Sequence, residues 1–173
     1  MKNFMKILIA LSLIACGNAI AATKIGVLDM QLLNLTMKMS DPQKNAEMAA
    51  EDLENVELTE CLLRKGFEAR EQFTLVEIDS EVQAEANKGV GYLFDRPEAA
   101  AELGEKFDAD YVVVGRYHKP TYLFSYIILR VVDVHSGKMI EEIKTEVKGR
   151  AQETIPTNIG NVMVKFDILL ADN

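Results

Sequence analysis

Residues 108–149 hold three extended stretches in succession, and that run excludes any all-helical fold. "DADYVVVGRYH" (108–118) reads as a central strand, rich in β-branched valine. Pro120 ends it, because proline has no N–H to give to a sheet ladder. "TYLFSYIILRVVDV" (121–134) is a second, longer strand. "HSGK" is a tight turn, with Gly137 able to take positive φ, and "MIEEIKTEVKG" (139–149) returns as the hairpin partner. A sheet of this kind has apolar faces that other elements must cover.

The upstream sequence supplies the covering elements and more strands. "KIGVLDM" (24–30) is short and apolar enough for a buried strand, and "FTLVEI" (73–78) alternates like another. Between them, Ser40-Asp41-Pro42-Gln43 has the form of a capping box and opens a helix expected over 41–65. Its apolar positions are Ala46, Ala49, Leu53, Val56 and Leu63, with Gly66 as the stop and the acidic residues forming a solvated face. Ser80 is expected to cap a short helix that ends at Gly89-Val90-Gly91. Asp95 is expected to cap a third, with Pro97 in its first turn and Ala99, Ala100, Leu103 and Phe107 buried. Thr157 starts a last helix whose apolar positions include Ile159, Val162, Met163, Phe166 and Leu169. The order predicts a single α/β domain over 22–173. Its mixed β-sheet has parallel strands early, a C-terminal antiparallel hairpin, and helices covering the faces.

The N-terminus predicts export. Met1–Lys6 is basic, Ile7–Ala15 is apolar, and small residues follow, the order of a secretory signal. Two processing sites compete. Cleavage after Ala21 removes residues 1–21 and releases the domain into the periplasm. Cleavage after residue 15 leaves Cys16 for lipidation and holds the protein on a membrane, facing the periplasm. In that case Gly17–Thr23 is the whole tether, at most roughly 24 Å long. Cleavage after Ala21 removes two of the 19 basic residues and none of the 27 acidic ones, so the charge moves from −8 to about −10. An acidic chain does not suit a nucleic-acid partner or a polybasic membrane contact, and membrane contact is expected only if Cys16 is lipidated. Cys61 sits in a helical pattern beside Leu58, Leu62 and Leu63 and is expected to be a buried, inert thiol.

Little in the chain points to chemistry. There are two histidines, His118 and His135, the second in the hairpin turn. No zinc spacing, phosphate loop or nucleophile elbow occurs, so no metal, cofactor or catalytic residue is expected. The densest polar-aromatic group is "GRYHKPTYLFSYIILR" (115–130). Strand alternation puts Arg116 and His118 on one face, and Tyr122, Phe124, Tyr126 and Arg130 together on the next strand. Two readings stay open: a binding patch of rigid aromatics with a cationic edge, or a hairpin packing its aromatics under a helix. No carboxylate neighbours His118 in sequence to orient it for acid–base work, and the protein is expected not to be an enzyme.

Three stretches carry a resemblance. "KIGVLD", "DADYVVVGRY" and "LRVVDVHSGKMIEEIKTEVKG" resemble bacterial envelope proteins of the curli-secretion lipoprotein (CsgG) and penicillin-binding-protein activator (LpoB) type. The matching residues are Val27 and Asp29, Tyr111 and Gly115, and Arg130, Asp133 and Gly137. The whole pattern is closer still to an uncharacterised family of small secreted proteobacterial proteins. The resemblance implies the α/β domain of those lipoproteins, and the chain as a whole is expected to be a non-enzymatic periplasmic domain that binds an envelope protein partner. The alternatives are a small-molecule carrier or accessory of a periplasmic oxidoreductase, and a lipoprotein component of an envelope assembly or secretion system.

Overall fold

The computed structural model describes residues 22–170; the two processing positions, Cys16 and Ala21, lie outside the described residues. The elements run β1 (Thr23–Val27), β2 (Gln31–Asn34), α1 (Pro42–Glu68), β3 (Phe73–Val76), α2 (Ser80–Ala86) and α3 (Tyr92–Asp95). After them come α4 (Pro97–Lys106), β4 (Tyr111–Lys119), β5 (Phe124–Asp133), β6 (Lys138–Lys148) and α5 (Ala151–Leu169). One mixed sheet has the order β3-β1-β4-β5-β6, with β2 also paired to β4. β1 is parallel to β3 and β4, β2 is parallel to β4, and β4, β5 and β6 are antiparallel neighbours. This is the single mixed α/β domain expected.

The hairpin forms where its turn residues predict. Gly137 has φ 67°, and the Asp133 carboxylate accepts from the Ser136 N–H at 2.6 Å. β6 is an edge strand of 11 residues, and α5 leans over part of its outer side. Asn158 donates to the Glu146 carbonyl at 2.9 Å and the Thr154 hydroxyl to the Lys148 carbonyl at 2.8 Å.

Strand alternation divides the core. One face carries Ile25, Val27, Val113, Tyr117, Ile127, Leu129, Val131 and Ile143, all under α1 and α5. The other carries Leu28, Val112, Val114 and Val132, under α2, α3 and α4. The two faces are not covered to the same extent. α1 has 27 residues, so at 1.5 Å per residue it is about 40 Å long, enough for the full length of any strand here. α4 has 10 residues, about 15 Å, whereas the 10 residues of β5 extend about 33 Å. The helices of the second face therefore leave one end of it open.

Several local expectations need correction. Asp41, not Ser40, caps α1, accepting from the N–H groups of Gln43 and Lys44. Gly66 does not stop α1, which runs on to Glu68; a Cβ there would lie 2.8 Å from the Met163 side chain, so glycine serves the packing of α1 on α5. The buried line of α1 is Asp52, Asn55, Val56, Thr59, Leu63 and Phe67, while Ala46, Ala49 and Leu53 face solvent. The helix is thus rotated from the alignment its apolar residues suggest, because Asp52 and Asn55 find partners inside. Cys61 is exposed, not buried: it lies off that line, about half a turn from Leu63. Asp79, not Ser80, caps α2, and α2 ends at Ala86, before the glycine pair. Asp95 ends the separate short helix α3 and caps nothing. α5 begins at Ala151, six residues before Thr157, with Pro156 inside it.

Candidate functional site

The open end of the second face holds most of the expected patch. His118 stands directly opposite Tyr126 in the β4–β5 register, with the rings stacked at 6.4 Å between centroids. Phe124 meets Tyr126 edge-on at 5.6 Å, and Lys144 from β6 places its ammonium 4.0 Å from the Tyr126 ring. All three rings are half-buried, and among the described residues none of them belongs to the core that α2, α3 and α4 cover. The proton affinity of His118 is lowered, first by burial and then by the Arg116 and Lys144 charges. No carboxylate bonds its ring among the described residues.

Arg116 and Arg130 are on the same face but do different work. Their guanidinium carbons lie 3.8 and 4.1 Å from the Phe94 ring centroid, so two cations hold one buried ring. Asp95 closes the clamp at 3.2 Å from Arg116 and 3.5 Å from Arg130. Arg116 also donates to Gln31 at 2.7 Å, and Arg130 to Glu142 and to the Phe94 carbonyl, both at 2.8 Å. Gly91, at φ 77° just before α3, leaves room for the clamp: a Cβ there would sit 2.6 Å from the Arg116 guanidinium. The clamp fastens α3 to the sheet and leaves Lys144, over Tyr126, and Lys148, opposite Phe124, beside the open rings.

Tyr122 is not with the others. It precedes β5, and its hydroxyl donates to the Met37 carbonyl at the rim of a hollow of about 300 Å³ at that end of the α1/α5 face. The hollow has a polar floor that the sequence reading missed. Asp52 is 1% exposed and accepts from Lys119 at 2.5 Å and from Asn34 at 2.8 Å. The buried Tyr117 hydroxyl hydrogen-bonds with the side chains of Ser125 and Asn55, and burial raises its pKa above the ordinary tyrosine value. Nothing in an acid-rich helix marks which aspartate turns inward; the i, i+3 pair Asp52/Asn55 on one line with Val56 and Thr59 was the available signal.

The residues that carry the envelope-protein resemblance are structural. Asp29 accepts from Arg64 at 3.2 Å and from Ser80 at 2.6 Å, tying α1 and α2 to the break between β1 and β2. Gly115 leaves space for the Met30 side chain, 2.5 Å from where its Cβ would be. No group of metal-ligating side chains occurs among the described residues, and none of their helices is long and apolar enough to cross a membrane.

The model of the family described as "Protein of unknown function (DUF2380)" matches residues 23–159, and the chain belongs to that family. No curated protein matches the sequence. Similar solved structures include a dodecamer of a PelC variant from Paraburkholderia phytofirmans, at 12% identity and TM-score 0.48, covering 82% of this chain and 86% of that one. The LpoB C-terminal domain from Salmonella enterica is similar at 16% identity and TM-score 0.40, covering 84% and 96%. Lipoprotein GNA1162 from Neisseria meningitidis is similar at 14% identity and TM-score 0.44, covering 87% and 98%.

Proposed function

We propose that this is a non-enzymatic protein-binding domain of the periplasm, which docks an envelope protein on the open half of its sheet. The observation that carries the reading is the uncovered row His118, Tyr126 and Phe124, with Lys144 at its margin. Aromatic rings fixed in register on a rigid sheet lose little conformational freedom when a partner covers them, and such rings dominate interface energetics. Arg116 and Arg130 are taken up by the clamp on Phe94 and Asp95 and contribute little free charge. The proposal includes export by the N-terminal signal, with release after Ala21 or lipid attachment at Cys16; the intact mass of the mature protein separates the two.

The test is photocrosslinking in intact cells with benzoylphenylalanine at position 126, and at the exposed position 57 on α1 as control. A discrete adduct with one envelope protein at 126, absent at 57, is the expected result. No adduct at 126, or the same adducts at both positions, would overturn the docking surface. Tyr126→Ala combined with Phe124→Ala should abolish co-purification of that protein while leaving the circular dichroism spectrum unchanged.

A further inference from the structure

The polar-floored hollow on the opposite face meets the docking row at Phe124, and its construction asks for a different explanation. Among the described residues, five polar side chains are buried: Asp52, Asn55, Thr59, Gln83 and Ser125. Gln83 is occupied in both directions by the Asp29 backbone, at 2.9 and 3.0 Å, and Thr59 donates to the Asn55 carbonyl at 2.7 Å. The other three line the one hollow, together with Tyr117 and Lys119. Buried polar groups of this kind generally give no more stability than apolar side chains of the same shape. Concentrating them around one opening therefore suits recognition better than stability.

The chemistry of the floor narrows what fits. Among the described residues, Asn55 Oδ1 is the one buried side-chain polar atom without a hydrogen-bond partner, so this oxygen is an acceptor left without a donor. The cation that could attract an anion is already used, because Lys119 is paired with Asp52. Glu51 adds a further carboxylate to the lining, whose one cation, Lys119, is the one paired with Asp52. Met39, Met48 and Leu123 make the rim apolar. We infer that the hollow binds a small molecule with an N–H or O–H donor on a short apolar body, neutral or positively charged. Asn55 Oδ1 accepts from the ligand's donor, the methionines and Leu123 cover its apolar body, and carboxylates are excluded. A volume of about 300 Å³ is at the lower end of the range for small-molecule sites.

A matched four-carbon series tests this on the ¹⁵N-labelled mature protein by two-dimensional NMR. The probes are butylammonium chloride, butyramide and sodium butyrate at equal ionic strength. Butylammonium and butyramide should give saturable shifts of the Asn55 side-chain amide and the Ser125 backbone amide, and butyrate none. Asn55→Leu should remove the saturable shift at Ser125. Met48→Trp, which fills the hollow from its rim without touching the floor, should do the same in a spectrum that is otherwise folded. The inference is overturned if no probe saturates, if butyrate binds as well as butyramide, or if Asn55→Leu binds butyramide unchanged.

Discussion

The two faces of the sheet are built from the same strands, yet one is sealed and the other half open. The α1/α5 face has helices of 27 and 19 residues, and one core cluster holds both Phe73 and Val147, with the hollow at its polar end. The α2–α4 face has helices of 7, 4 and 10 residues, which cover only the end near Val112 and Val132. The difference follows from rise per residue, since a helix must have about twice as many residues as a strand to cover it end to end. The sealed face carries stability and hides a polar hollow. The open face carries exposed rings over a clamped scaffold.

Breaking the sealed face at its polar end should produce the largest effect. Lys119→Met leaves Asp52 buried without its cation and should cost about 3–5 kcal/mol by urea unfolding, whereas Lys119→Met with Asp52→Leu should recover most of that loss. A purely apolar deletion comes next. Leu129→Ala on the sealed face should cost about 2–5 kcal/mol, while Tyr126→Ala on the open face should stay within about 1 kcal/mol. Equal costs for these two would mean that the open half is core after all.

Two titrations sharpen the contrast with smaller effects. His118 on the open face takes up its proton at lower pH when folded than in the unfolded chain, where the ordinary value is about 6.5. The unfolded state then binds more protons just below that pH, so stability falls as pH drops through this window, and His118→Gln should flatten that part of the profile. Glu60, at the edge of the sealed face, has the opposite sign. Burial raises its pKa above the ordinary 4.5 although it accepts from the Met30 N–H. Stability should therefore decline as pH rises through and above that value, and Glu60→Gln should raise the unfolding midpoint slightly at pH 7.

What could be read in advance depended on how local the cause was. The hairpin was legible because alternation, Asp133 and Gly137 all act within a few residues of the turn. The length of α1 was legible from its composition and its proline near the start. β2 was not: "QLLN" has no strand signature of its own and is extended because it pairs with Arg116–Lys119, 85 residues away. The rotation of α1 and the exposure of Cys61 were hidden for a similar reason, since Lys119 and Tyr117, far along the chain, decide that Asp52 and Asn55 turn inward. For the patch, alternation grouped Arg116 with His118 on one strand, and Tyr122, Phe124, Tyr126 and Arg130 on the next. It could not show that Phe94 would divide the arginines from the rings, or that Tyr122 would leave the strand.

The side chains of Asn158 and Thr154 on the outer carbonyls of β6 have a consequence for solubility. An 11-residue edge strand is a template on which other chains can stack, and α5 occupies two of its acceptors at the C-terminal end. The remaining stretch, 138–144, carries Lys138, Glu141, Glu142 and Lys144, whose charges must be stripped of water before another strand can pair there. Truncation that removes the first turns of α5 would expose an uninterrupted ladder, and such a fragment should form fibrillar aggregates where the whole chain stays dispersed.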